Sequence, residues 1–136
     1  MRLCQYIVLL VVMFVPFVAA AEEFDGSVAL ICFSSEAIDC VPGQPCVEGQ
    51  PEAIGAPQFL RINFDKQEIT GTKRTSPILR MDKNDDQIHL YGTELNMGWL
   101  LTLDRLTGHF SASLVNAEGA FVIFGACTPL APLLEK

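Results

Sequence analysis

The chain has 136 residues, half of them hydrophobic, and carries 16 Asp and Glu against 9 Lys and Arg for a formal net charge of −7. A length of this order holds one domain around one core. With no basic stripe anywhere, the acidity excludes nucleic acid as a partner and opposes anionic lipid heads; the charges are scattered, and solubility is their ordinary use.

At the start of the chain, Arg2 leads into an apolar run from Ile7 to Val18, and Ala19, Ala20 and Ala21 supply an A-x-A cleavage pattern. Residues 1–21 therefore read as a secretory signal peptide cut before Glu22, leaving residues 22–136 as a single β domain. The apolar run falls short of the roughly 20 residues needed to cross a bilayer, and Pro16 interrupts it, so no stable membrane insertion is expected after cleavage. Glu22, where an acylated protein would have cysteine, argues against a lipid anchor. Cys4 leaves with the leader, and the loss of Arg2 takes the net charge from −7 to −8.

Past the leader, apolar residues recur mainly with period two and turn residues fall at short intervals, the pattern of an antiparallel all-β domain. Eight strands are predicted: Val28 to Phe33, Phe59 to Phe64, Glu68 to Thr72, Ile78 to Met81, Gln87 to Gly92, Trp99 to Asp104, His109 to Asn116, and Phe121 to Cys127. Alternation assigns the buried face to Leu60, Ile62 and Phe64, to Trp99, Leu101 and Leu103, and to Phe110, Ala112 and Leu114. Cys32 shares the face of Val28 and Leu30, and Cys127 that of Phe121 and Ile123, so both point inward. The last strand is apolar on both faces; Val122 and Phe124 need cover from the tail (Pro129 to Leu134) or from the long loop 34–57. DRLTG and NAEG place Gly108 and Gly119 where left-handed residues close hairpins, and DKNDD is a polar tip, so the strand order expected is a meander.

Four cysteines remain after cleavage, Cys32, Cys40, Cys46 and Cys127, an even number that suits an oxidising compartment and allows three disulfide connectivities. The favoured pairing is Cys40 with Cys46 and Cys32 with Cys127. Two prolines and a glycine in DCVPGQPC turn the chain back on itself, and the inward Cys32 and Cys127 would tie first strand to last. Zinc is not expected, because no CxxC occurs and both histidines lie elsewhere.

Candidate chemistry is sparse. Asp82, Asn84 and Asp86 have the spacing that opens a calcium loop, but Gln87 replaces its glycine, Thr93 its closing glutamate, and strands flank it. His89 and His109 have no cysteine or serine motif beside them. Glu22 with Glu23 and Asp85 with Asp86 are neighbours at a chain start and a turn, where burial would shift neither pKa. GxSxG, HExxH, P-loop and GxGxxG motifs are all absent, and Trp99 and Phe110 alternate with core residues at strand spacing. No catalytic residue, cofactor or metal is expected.

The Cys32 to Cys46 segment, the LTLDRLTGHFS hairpin and the closing VIFGACTP resemble, over the whole chain past the leader, a group of small exported proteobacterial proteins. These share an early cysteine strand, a short cysteine loop, a TLD-x-x-TG turn and a final GxC strand. The resemblance implies an exported, disulfide-bonded β domain and no particular activity. In size and architecture the chain is also similar to the periplasmic inhibitors of c-type lysozyme, eight-stranded barrels with an end-to-end disulfide. Those present an SGxxY loop; the nearest stretch here, YGTELNMGW, has a different pattern.

The expectation is a small antiparallel meander, an eight-stranded barrel or sandwich, with a non-enzymatic binding or accessory role in the periplasm or outside the cell. A small-ligand carrier or a lysozyme-inhibitor-like protein is the alternative. Since side chains fill the interior of so small a barrel, function is expected in the stapled loop 34–57, where Glu36, Asp39, Glu48 and Glu52 would offer an acidic face to a protein partner.

Overall fold

The computed structural model describes residues 24–130; the leader, its cleavage site and the tail beyond Leu130 lie outside the described residues. Ten strands form one antiparallel sheet: β1 (Leu30–Cys40), β2 (Val47–Gly49), β3 (Phe59–Asn63), β4 (Glu68–Thr70), β5 (Thr75–Pro77), β6 (Arg80–Lys83), β7 (Gln87–Glu94), β8 (Met97–Asp104), β9 (His109–Val115) and β10 (Ala120–Pro129). The sheet curls into a half-barrel with lateral order β5-β4-β3-β1-β10-β9-β8-β7-β6, and β2 pairs with β1 off this path. The all-β class is as expected, and a single curled sheet decides against a sandwich. Among the described residues the one helical element is a 3-10 turn, Pro51–Ile54, and no helix is long and apolar enough to cross a membrane.

The two ends of the sheet, β5 and β6, are consecutive in the chain. Residues 75–83 run as one path that pairs first with β4 (Thr75 opposite Thr70, Ser76 opposite Ile69) and then with β7 (Arg80 opposite Tyr91, Lys83 opposite Ile88). At the switch, the Ile78 N–H donates to the Gln67 carbonyl (2.8 Å) and the Leu79 N–H to the Tyr91 carbonyl (2.8 Å). The expected strand Ile78 to Met81 thus covers the switch and the first half of β6, while β5 was not expected; buried Ile78 lies between the two half-strands, which face opposite neighbours. Counted as one, they restore eight positions around the curl. Between β5 and the end of β7 the ladder is missing. There the Ser76 hydroxyl donates to the Glu94 carboxylate, and Arg74 Nε lies 3.5 Å from Glu94 Oε1. Gly92 makes the approach possible: a Cβ on it would meet the Trp99 ring at 2.2 Å and the Pro77 carbonyl oxygen at 2.7 Å.

The expected faces hold along the middle strands. Leu60, Ile62, Phe64, Leu101, Leu103, Phe110 and Ile123 are buried with Leu30, Ile78, Ile88 and Leu90, while Trp99, Ala112 and Leu114 pack half-buried against them. Cys32 and Cys127 lie directly opposite in the β1–β10 register and are joined, as are Cys40 and Cys46, giving both expected bridges. Gly108 closes the β8–β9 turn at φ 73°, as its position predicted. Gly119 is not left-handed; it is needed because the Cys40 carbonyl oxygen would stand 2.9 Å from a Cβ there.

The first strand departs from its expected bounds. Polar Ser34, Ser35 and Glu36 suggested an end at Phe33, but the strand runs on to Cys40 through a bulge between Ser34 and Glu36 opposite Gly125 and Phe124. The extra residue resets the alternation, so that Ala37 is again buried. The expected loop 34–57 is consequently the second half of β1, a tight turn, β2 and the 3-10 turn.

Candidate functional site

The hairpin that replaces the expected loop is built by local chemistry. Pro42 and Gly43 occupy the central positions of a turn in which Gly43 has φ 77° and the Gln44 N–H donates to the Val41 carbonyl (3.2 Å). Proline presets the first central residue and glycine takes the left-handed second, the type II pattern. Returning through Pro45, the chain brings Cys46 to 4.3 Å (Cα–Cα) from Cys40. β2 then pairs Val47, Glu48 and Gly49 with Asp39, Ile38 and Ala37. Every residue from Val41 to Gln50 is exposed.

The 3-10 turn has another task. Pro51 at its start is buried, Ile54 and Ala56 pack on the core, and Gly55 ends it at φ 77° with its N–H on the Glu52 carbonyl (3.0 Å). Residues 51–56 cap one end of the core, and only 41–50 project.

The four acidic residues expected to form one face are divided. Glu36 and Glu48 share the outer face of the hairpin: Glu36 stands opposite Phe124, and Glu48 opposite Ile38. Asp39 lies on the other face, with Ala37, and is half-buried; Glu52 is exposed on the 3-10 turn. The division follows from β1 continuing as a strand, since residues two apart share a face and those one apart do not.

Beside the outer pair lies a feature that the loop-centred reading passed over. Phe33 on β1, Phe59 on β3 and Phe124 on β10 are 43%, 50% and 39% exposed. Phe33 and Phe59 are cross-strand partners with ring centroids 5.3 Å apart. Half-buried Ile31, Ile38 and Val122 lie on the same convex face. Strand alternation had already turned Phe33 and Phe59 outward, and the two-faced apolarity of the last strand was the other signal. The projecting segment 41–50 leaves Phe124 open, so that part of the expected cover is not supplied by the loop.

A polar row crosses β6 to β9 farther round the convex face: Asp82, His89, Thr102 and Ser111 are successive cross-strand neighbours. His89 Nδ1 lies 3.1 Å from the Thr102 hydroxyl. Asp82 is engaged by the Arg80 guanidinium (Nε to Oδ1, 3.1 Å), whose hydrogen bonds and charge hold its carboxyl below the ordinary value, and Arg80 also stacks 5.2 Å from the Tyr91 ring centroid. Asn84 Oδ1 accepts from the N–H groups of Asp86 and Gln87 (2.9 and 2.8 Å), so two of the three calcium-spaced side chains are occupied by a strand ion pair and a turn. Among the described residues, no three His, Cys, Asp or Glu side chains gather where they could hold a metal ion. His109 is exposed at the start of β9.

No known protein family, curated protein sequence or solved structure matches this chain.

Proposed function

We propose that this is a non-catalytic binding protein of an oxidising compartment outside the cytoplasm, periplasmic or secreted, and that it meets a protein partner on its convex face. The single observation that carries the reading is the clustering of three exposed phenylalanines beside a disulfide-held hairpin that presents Glu36 and Glu48 on the same face. Isolated exposed apolar residues are ordinary; a cross-strand phenylalanine pair with a third exposed phenylalanine on the neighbouring strand of the same face, flanked by carboxylates, is the composition of a docking patch. The rim favours a partner whose own surface is apolar at the centre and basic around it. The crosslinked turn lowers the entropy lost when the hairpin is immobilised on binding. Two disulfides and the signal-peptide pattern support the compartment.

The inner face is packed by Leu30, Ile62, Ile88, Leu90 and Leu103, which weighs against a small-ligand carrier. As for the lysozyme-inhibitor-like alternative, the corresponding hairpin here is closed by Leu95 and Asn96, and nothing in its geometry favours that reading over a different protein target.

The test compares the parent protein with Glu36→Ala/Glu48→Ala and with Phe59→Ser, using each as bait in an extract of the exported fraction and recording melting temperatures in parallel. A partner recovered by the parent and lost with either variant, at unchanged melting, is the expected result. Undiminished recovery of that partner by both variants would overturn the reading.

A further inference from the structure

The two disulfides stand in opposite surroundings. Cys32 and Cys127 are buried in the core, directly opposite each other in adjacent strands. Cys46 is exposed and Cys40 half-buried at the base of the projecting turn. Beyond that turn, β2 is joined to the sheet through three cross-strand pairs, all with β1; its three residues are exposed, and among the described residues no other strand flanks it. A ladder this short, with nothing packed over it, is marginal in water, so the crosslink is what keeps Val47, Glu48 and Gly49 in register. By contrast, the segments on either side are held independently: Ala37 to Cys40 remains paired with Ala120 to Ile123, and Pro51 and Ile54 pack into the end of the core.

We propose that the Cys40–Cys46 disulfide is a thiol-releasable latch on the projecting hairpin, which frees residues 41–50 while Cys32–Cys127 and the half-barrel stay intact. The reductant is a thiol, attacking from the exposed Cys46 side. Its thiolate forms a mixed disulfide with Cys46 as the Cys40–Cys46 bond breaks, and Cys40 departs as a thiolate that takes up a proton. A second thiolate attacks the reductant's sulfur in that mixed disulfide, releasing Cys46 and the oxidised reductant, so two electrons pass from two thiols to one protein disulfide. Nearby Asp39 and Glu48 carry negative charge that slows an anionic thiol more than a neutral one. Opening removes the fixed placement of Glu48 opposite Ile38, on the convex face that also carries Glu36 and Phe124, and in this respect the consequence for binding rests on the function proposed above; the latch itself does not.

The test treats the full exported protein with graded dithiothreitol, alkylates free thiols, and maps both alkylation and amide hydrogen exchange by peptide mass. Cys40 and Cys46 are expected to be alkylated at least roughly tenfold faster than Cys32 and Cys127, with exchange over 47–49 rising by a similar factor and exchange over 121–127 unchanged. Equal reduction rates for the two bridges, or an unchanged hairpin after selective reduction, would overturn the latch. The variant Cys40→Ser/Cys46→Ser gives the open hairpin without reductant, and its exchange over 47–49 must match that of the reduced parent. If it matches while a confirmed partner is still captured undiminished, the latch stands and the hairpin's part in binding fails.

Discussion

Asp104 closes the β8–β9 turn by accepting hydrogens from the Leu106 N–H (2.9 Å), the Thr107 N–H (2.7 Å) and the Thr107 hydroxyl (2.9 Å). These bonds, the Thr107 backbone N–H foremost, favour the charged form and hold the carboxyl below its ordinary value of 3.8. A depressed folded pKa contributes stability that is fully present above the unfolded value and is lost as pH falls through the folded one. Acid titration of thermal stability should therefore show a decline setting in below the ordinary carboxylate value, and Asp104→Ala should flatten part of it while lowering stability at neutral pH. An identical acid limb in parent and variant would remove Asp104 from the account. Asn116 does the same for the β9–β10 turn, accepting from the N–H groups of Glu118 and Gly119 (2.9 and 3.0 Å). Both turns were legible in sequence from their glycines, although only Gly108 is left-handed as expected; the Asx side chains that cap them act locally, two or three residues before their donors.

At the level of the element, the β7–β8 hairpin breaks the usual turn chemistry. Its two-residue tip is Leu95 and Asn96 at φ 47° and 68°, both left-handed, where an Asn-Gly pair is the favoured occupant. Leu95 is also 70% exposed, so neither its backbone nor its side chain gains from the position. Replacing Leu95→Asn together with Asn96→Gly should stabilise the protein by about 1 kcal/mol in denaturant titration, since the strain of a branched residue in this region is of that order. A loss of stability would show that Leu95 makes a contact worth more than its strain. β1 teaches the converse lesson. Its polar middle, Ser34 to Glu36, reads as a loop boundary, yet the strand continues because β10 on one side and β2 on the other supply ladder partners beyond it and a bulge absorbs the extra residue.

Across the whole molecule, the buried bridge joins strands whose cysteines are 95 residues apart, whereas the hairpin bridge spans 6. By unfolded-chain entropy, removing the first through Cys32→Ser/Cys127→Ser should cost about 4–5 kcal/mol, and removing the second through Cys40→Ser/Cys46→Ser only about 2 kcal/mol. Equal losses in chemical denaturation would contradict this ordering. The long bridge pins β1 to β10, the central pair of the sheet, while the open ends are joined through the continuity of residues 75–83, the Ser76–Glu94–Arg74 contact and the approach of Pro77 to Gly92. Gly92 gives that seam its close approach, and the sheet can curl so far only because a side chain is missing there.

The sequence by itself determined the strand periodicity, the inward faces, the places of several turns and both cysteine pairings. Each depends on spacing along the chain, or on two cysteines sharing the inner face of strands that a meander brings together. Only the tertiary structure decided where β1 ends, that residues 75–83 change partners midway, that residues 51–56 cap the core while 41–50 project, and that Glu36 and Glu48 share the convex face that carries Phe33, Phe59 and Phe124. Those outcomes depend on which backbone groups lie alongside at long range. A bulge and a change of ladder partner leave no periodic mark in the residues that form them, and alternation that turns Phe33 and Phe59 outward does not say which residues of other strands stand next to them.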